Sequence, residues 1–239
     1  MKQYFFLICF LIAVIVCLIG RLVEDPLSAY LDYISIPLLM PLLFLYFRDN
    51  THSLNLKEAL FKFISMGLLF AWLGDLFLMI SKGSLNLFIC GLLCFLVMQL
   101  LYIRLFMHNS NSRSNLFKAR PFLAIPSILT GLGFYILLFP ELGLVLRLAV
   151  GIYSIALVGM TLGAINRYKK CNIVSFWLVT IGAFSFMFSD MMIGLNSFVF
   201  APDGFLLAGF WIMITYTIGQ LLIIQGLIVH FKYEKNIQM

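Results

Sequence analysis

Charged residues are scarce in this chain. Asp, Glu, Lys and Arg make up 11% of its 239 residues, whereas 63% are hydrophobic, and the mean hydropathy is +1.05. Because a soluble globular domain carries about 25% charged residues, this composition excludes an ordinary soluble fold. The long uncharged apolar runs predict transmembrane helices instead.

The sequence also lacks the patterns of common metal and cofactor chemistry. It contains no Gly-rich phosphate loop and no G-x-S-x-G motif. Its five cysteines form no metal-ligand spacing; Cys90 and Cys94, for example, are four residues apart within an apolar run. His52, His108 and His230 lie near one predicted membrane surface, far from the acidic residues described below. We therefore expect no metal site and no organic cofactor, and we interpret the cysteines as small apolar fillers.

Apolar segments long enough to cross a bilayer occur eight times. A helix of about 20 residues spans the hydrocarbon core. The predicted spans are approximately 4–20, 33–48, 59–81, 85–107, 121–139, 143–165, 173–195 and 205–231. The second span contains Pro37 and Pro41, so we expect it to be kinked. No linker or low-complexity tract divides the chain, which predicts one all-α transmembrane bundle domain over residues 1–239.

The basic residues predict the orientation of this bundle. With the N-terminus in the cytoplasm, all but Arg21, Lys82 and Arg147 of the 16 Lys and Arg residues lie on the cytoplasmic side, as the positive-inside rule requires. The even number of spans then places both termini in the cytoplasm. No small-x-small cleavage site follows the first span, so we expect it to be retained.

The same distribution bears on compartment and partners. A bacterial inner membrane is the expected location, although an ER-type membrane obeys the same charge rule. The basic residues are scattered in short loops, so no nucleic-acid partner is expected, and membrane lipids are the expected surroundings.

Two aspartates interrupt the predicted spans. Asp75 lies in FAWLGDLFLMI and Asp190 in FSFMFSDMMIGLN. An ionised carboxylate at bilayer depth costs about 2.5–3.5 kcal/mol on insertion scales, so such groups usually serve a function. Both spans run from inside to outside in the predicted topology, which places both carboxyls roughly 8–10 Å below the outer edge. The matching depths predict one shared polar site.

A weak internal repeat accompanies the aspartates. LGDLFLMI is followed by VMQLLYI, and FSDMMIGL is followed by IGQLLII, which predicts two parallel four-helix halves with the site where they meet. Gln99 and Tyr102 share one helix face, Tyr216 and Gln220 share another, and Asn196 ends the Asp190 span. These five residues are candidate pocket residues; the alternative is that they serve as polar glue between helices.

These motifs resemble those of the YhhN family of membrane proteins, whose characterised members are lysoplasmalogenases. The matching stretches are Gly74-Asp75 with LFLM, QLLYI at 99–103, GAFSFMFSDMMIGLNSF at 182–198 and YTIGQLLI at 216–223. The resemblance implies that Asp75 and Asp190 are the catalytic pair and that Asn196, Tyr216 and Gln220 line the pocket. There are two departures from the family pattern, which commonly has His where Gln99 stands and Lys where Ile36 stands. Both departures leave substrate preference and rate open.

The resemblance implies a specific reaction. The enzyme would hydrolyse the vinyl ether bond of an alkenyl lysophospholipid, with an ethanolamine or choline head group, to a fatty aldehyde and a glycerophospho-head group. Two carboxyls suit this chemistry because one protonates the carbon β to oxygen and the other, ionised, stabilises the resulting oxocarbenium and activates water. The sequence leaves open which aspartate has which role.

Other functions for the same aspartates stay open from the sequence. Buried carboxyls in parallel halves are also typical of proton-coupled transporters. A lipid sensor or scaffold would use the two carboxyls only to hold helices together. An intramembrane aspartyl protease of the G-x-G-D type is disfavoured, because Trp72 stands where the first glycine belongs.

Overall fold

The computed structural model describes residues 2–23, 26–54, 56–81, 83–108, 116–201 and 204–238, and within them all regular structure is helical. The α-helices are α1 (Lys2–Leu22), α2 (Pro26–Thr51), α3 (Glu58–Ser81), α4 (Leu85–His108), α5 (Leu116–Ala119), α6 (Ile125–Leu138), α7 (Leu144–Ile165), α8 (Ile173–Gly194) and α9 (Ala208–Gln238).

Among the described residues, eight helical segments are long and apolar enough to cross a membrane. They are α1 to α4 and α6 to α9, with α6 extended by flanking 3₁₀ turns and α5 too short to span. The prediction of an all-α, multi-pass integral membrane protein is therefore confirmed. The cytoplasmic location of the termini stays a prediction, and "outer end" below means the end that carries Arg21 and Arg147.

The second span differs most from its predicted bounds. Helix α2 begins at Pro26 rather than at residue 33 and ends at Thr51. An acidic residue, Asp32, is tolerated in this helix because Arg21 of α1 pairs with it, with Nη2 and Oδ2 3.3 Å apart. The sequence prediction began the span at residue 33, just after this carboxylate, because the partner on α1 was not visible from local composition.

Helix α2 continues through both of its prolines. Pro41 has no N–H, so it cannot donate to the carbonyl of Pro37 four residues earlier. Trp72 of α3 supplies the missing donor: its Nε1 lies 2.9 Å from the Pro37 oxygen. A buried carbonyl left without a donor is costly in lipid, so this bond fixes α3 against the proline segment of α2.

Helices α8 and α9 approach each other through glycines. A Cβ on Gly182 would lie 2.8 Å from the carbonyl oxygen of Gly219, and a Cβ on Gly219 would lie 2.9 Å from that of Gly182. Close backbone approach through small residues is a general feature of membrane helix pairs. Ser185 and Ser189 of α8 donate hydrogen bonds to backbone carbonyls of α9, so this face of α8 is locked onto α9.

The two predicted halves have similar helix neighbours, with one difference: α1 also contacts α9. Helix α3 packs on α4 as α8 packs on α9, and α1 packs on α2 as α6 packs on α7. Between the two predicted halves, α4 contacts α7 and α2 contacts α9. These two contacts correspond to each other, because in the predicted repeat α4 is equivalent to α9 and α2 is equivalent to α7. The relation between the halves itself stays a prediction.

Candidate active site

Asp75 lies on α3 and is buried, with 7% of its surface exposed. Its Oδ2 accepts a hydrogen bond of 2.8 Å from the hydroxyl of Tyr216 on α9. The preceding residue, Gly74, packs on the ring of Phe95 of α4, and a Cβ at Gly74 would lie 2.8 Å from that ring. Glycine is therefore required before the aspartate so that α3 and α4 can close around it.

Asp190 lies on α8 and is 5% exposed. Its Oδ2 accepts hydrogen bonds from the Tyr153 hydroxyl of α7, at 2.5 Å, and from Nε2 of Gln99 on α4, at 3.2 Å. The other amide atom of Gln99, Oε1, is buried and has no hydrogen-bond partner among the residues that the structure describes. Asp190 is thus held by two donors from two helices, and an unused acceptor lies beside it.

Tyr153 was missed by the sequence reasoning. It belongs to no recognisable motif, and its span pairs with neither predicted Asp–Gln repeat. The one available signal was chemical: Tyr153 is the lone aromatic residue of α7, which is otherwise aliphatic and small. A single phenol in such a helix indicates a specific hydrogen-bond partner.

Tyr102 and Gln220 bond to each other rather than to an aspartate. The Tyr102 hydroxyl donates to Oε1 of Gln220 at 2.9 Å, and Nε2 of Gln220 lies 3.1 Å from the Met98 sulfur. Tyr102 and Gln220 are both fully buried. Of the predicted pocket residues, Tyr216 and Gln99 therefore contact the carboxyls, whereas Tyr102 and Gln220 form a separate polar pair between α4 and α9.

Asn196 lies on a π-helical extension of α8, Leu195–Val199. Its Oδ1 accepts a hydrogen bond of 3.3 Å from the backbone N–H of Phe205. Gly204, at φ +72°, passes so close that a Cβ there would lie 2.6 Å from Oδ1. Asn196 therefore ties the end of α8 to the segment that precedes α9, at one end of the cavity described next.

Asp75 lines a cavity of about 230 Å³. Its walls come from six helices and the π-helical extension, and its lining includes Arg21, Ile36, Asp75, Phe95, Ser189, Ile193, Asn196, Met213 and Tyr216. The lining thus combines an apolar wall with one carboxyl, one guanidinium and three other hydrogen-bonding side chains, those of Ser189, Asn196 and Tyr216. A larger cavity of about 600 Å³, lined by Trp177, Phe188 and Thr215 among others, contains no carboxyl, so we place the candidate site at Asp75.

The two carboxyls lie close together but open on different spaces. Asp190 lines a small cavity of about 20 Å³, and Ile193 borders both this cavity and that of Asp75. An aromatic cluster of Phe95, Phe186 and Tyr216, with ring centroids 5.9–6.0 Å apart, packs beside Asp75.

The two departures from the family pattern fall one at each aspartate. Ile36, buried at 3% exposure, forms part of the wall of the Asp75 cavity. Gln99 is a direct hydrogen-bond partner of Asp190. Both positions therefore belong to the immediate surroundings of a carboxyl rather than to a remote surface.

No group of three His, Cys, Asp or Glu side chains that could hold a metal ion occurs in the described part of the chain. Among the histidines, His230 of α9 is buried, with its Nε2 3.4 Å from Oε1 of Glu234. This pair lies on the final turns of α9, away from both aspartates.

Comparison with known proteins identifies one family. A model of the YhhN family matches residues 31–227, which run from α2 into α9 and include Asp75 and Asp190. No curated protein matches the chain, and no solved structure does. Since the matched region covers most of the sequence and contains the buried carboxyls and their contacts to α4 and α9, the chain belongs to the YhhN family.

Proposed function

We propose that this protein is a lysoplasmalogenase-like hydrolase that cleaves the vinyl ether bond of alkenyl lysophospholipids. The products are a fatty aldehyde and a glycerophospho-head group. One observation carries the proposal: two buried carboxyls line neighbouring cavities inside a membrane bundle, and the lining of the Asp75 cavity also contains a guanidinium. Intramembrane carboxyls are costly, and most serve a function.

The chemistry needs one proton donor and one ionised carboxyl. Protonation of the carbon β to oxygen converts the vinyl ether into an oxocarbenium ion. Water then adds to the oxygen-bearing carbon, and the resulting hemiacetal expels the glycerol hydroxyl to leave the aldehyde. The net reaction consumes one water molecule and returns the proton to the enzyme, so no cofactor is required.

The geometry supports a division of these roles. Asp75 lines the larger cavity and is the carboxyl that can reach a substrate carbon, so we assign it the proton donation. Asp190 accepts hydrogen bonds from Tyr153 and Gln99 on one oxygen, the environment of a carboxylate acceptor. We assign Asp190 the ionised role, in which its charge stabilises the cation.

A second candidate, proton-coupled transport, is favoured by a specific observation. Helix α9 carries polar side chains at successive levels of the bundle: Tyr216 on Asp75, Gln220 on Tyr102, and Gln225, whose Oε1 accepts from Tyr46 at 2.6 Å. Such a series provides polar groups at several depths of the membrane, and proton relays in transporters use an intramembrane carboxyl such as Asp75. Hydrolysis remains the preferred proposal because both carboxyls lie toward one end of the helices that carry them.

The test is aldehyde release from an alkenyl lysophospholipid by purified protein in detergent, with Asp75→Asn and Asp190→Asn beside the wild type. General acid–base groups contribute about 10²–10⁴ in rate, so each variant should lose at least about a hundredfold in kcat. Asp49→Asn is the matched control, because Asp49 lies on α2 at the opposite end of the bundle from Arg21.

Thermal denaturation of each variant separates the alternatives. If the carboxyls are catalytic, both variants should melt within a few degrees of the wild type but lose turnover. If the carboxyls only hold helices together, the melting temperature should fall in both variants. Folded wild-type protein that releases no aldehyde from either ethanolamine or choline substrate would exclude the hydrolase, and proton flux in reconstituted vesicles would then be the next assay.

A further inference from the structure

Arg21 is the cation of the Asp75 cavity. It lies in the last turn of α1 at the outer end of the bundle, and its side chain keeps 31% of its surface exposed. Its guanidinium pairs with Asp32 through one nitrogen, Nη2. Nε is buried and has no hydrogen-bond partner within the described residues, so the pairing with Asp32 leaves donors of Arg21 unused.

Packing holds Arg21 in place. Gly209, near the start of α9, lies against the arginine stem, and a Cβ there would lie 2.9 Å from Cδ and 3.2 Å from Nη1. Asp32 is itself held from a second side, since the Cys17 sulfur lies 3.9 Å from its Oδ1. The Arg21 side chain also lines the Asp75 cavity, and a fixed guanidinium on a cavity wall is a site for an anion.

Arg147, the other outer-end cation among the described residues, does not offer this. Arg147 donates from Nε to the Phe139 carbonyl at 3.1 Å, and its guanidinium carbon lies 4.2 Å from the centroid of the Phe139 ring. It is absent from the lining of the Asp75 cavity. Lys82, the third outer-face cation expected from the sequence, lies outside the described residues. Arg21 also lies outside residues 31–227, the stretch that the family model matches.

We propose that Arg21 binds the phosphate of the lysophospholipid, with Asp32 positioning its guanidinium. This inference rests on the proposed function and deepens it, because it makes a phosphate ester a requirement of the substrate. The glycerol backbone separates the vinyl ether oxygen from the phosphate, and the cavity likewise has the proton-donating carboxyl and the guanidinium on one continuous lining. Arg21 also offsets the repulsion that the Asp32 carboxylate would exert on an anion.

The kinetic test compares two substrates, an alkenyl lysophosphatidylcholine and the corresponding alkenylglycerol, which has no phosphate. Loss of a charge-assisted hydrogen bond predicts that Arg21→Gln raises KM for the phospholipid at least about tenfold. Its kcat should change little, and the kinetics with alkenylglycerol should not change. Arg21→Lys keeps the charge but loses the paired N–H donors of the guanidinium, so it should give an intermediate KM for the phospholipid. The control variant Arg147→Gln should match the wild type.

Asp32→Asn separates binding from a purely structural ion pair. If Arg21 serves only to neutralise Asp32, Arg21→Gln impairs both substrates equally, and the double variant Arg21→Gln/Asp32→Asn restores activity on both; either result overturns the proposal. If Arg21 binds phosphate, Asp32→Asn keeps the preference for the phospholipid over alkenylglycerol. The double variant lacks this preference, as Arg21→Gln does.

A binding measurement keeps the two proposals distinguishable. The alkyl ether analogues, lysophosphatidylcholine ether and alkylglycerol ether, have no vinyl bond and can be titrated against wild-type and Arg21→Gln protein without turnover. Tighter binding of the phospholipid analogue, lost in Arg21→Gln, supports the phosphate site even if no aldehyde is ever released. Aldehyde release by the wild type with equal analogue binding by both proteins would overturn the Arg21 inference and leave the hydrolase standing.

Discussion

The hydroxyl of Tyr153 offers a sharp test of the Asp190 environment. Tyr153→Phe removes one of the two donors to Oδ2 of Asp190 and keeps the ring that packs in α7. A hydrogen bond to a charged group contributes about 1.5–3 kcal/mol. If Asp190 must stay ionised throughout the reaction, and if its hydrogen bond from Tyr153 strengthens as the oxocarbenium ion forms, loss of this bond should lower kcat by about 10- to 100-fold.

Tyr46→Phe is the matched control. Tyr46 is also a buried tyrosine of a membrane helix, 3% exposed, and its hydroxyl also donates to a side-chain oxygen, Oε1 of Gln225. It contacts neither aspartate. Both variants should lose some stability, about 1–3 kcal/mol for the acceptor left without its donor, but only Tyr153→Phe should lose turnover.

The assay is kcat for aldehyde release together with the melting temperature of each variant. The reasoning predicts similar losses of melting temperature and a fall in kcat for Tyr153→Phe alone. Wild-type kcat in folded Tyr153→Phe would refute the role of this hydrogen bond, and equal falls in kcat for both variants would show that turnover only reports general stability.

Two further predictions concern the scaffold that positions the site. Gly182→Ala should destabilise the protein by about 1–3 kcal/mol, because the new Cβ meets the backbone of α9; Gly133→Ala, where nothing lies within 4 Å, is the control, and an equal melting temperature for both would contradict the close α8–α9 contact. Trp72→Phe removes the donor to the Pro37 carbonyl and should cost about 1 kcal/mol; an unchanged denaturation midpoint would mean that this bond contributes nothing to the α2–α3 contact.

Much of the fold could be predicted from the sequence because membrane helices can be recognised from their local composition. Each span is a run of apolar residues, and the cost of carboxyls in lipid singled out Asp75 and Asp190. Local composition was sufficient for these features. The i,i+3 and i,i+4 spacings grouped Gln99 with Tyr102 and Tyr216 with Gln220, but they did not distinguish the members that contact a carboxyl, Gln99 and Tyr216, from Tyr102 and Gln220, which bond to each other.

The features that escaped prediction depend on contacts between distant segments. Tyr153 carries no motif, and only the packing of α7 beside α8 brings it to Asp190. The early start of α2 depends on Arg21 of α1, which neutralises the Asp32 carboxylate across the α1–α2 contact. The extension of α8 by a π-helical segment, Leu195–Val199, likewise has no local signature. Such pairings depend on how helices rotate against one another, which one sequence does not specify.

The most direct measurement of the central claim is the isotopic composition of the aldehyde formed in D₂O, trapped by reduction as it is released. Proton donation to the vinyl carbon by an exchangeable carboxyl predicts one deuterium on the carbon next to the carbonyl, with product formation lost in Asp75→Asn. Unlabelled aldehyde, or undiminished formation of labelled aldehyde by Asp75→Asn, would contradict the assignment of that proton to Asp75.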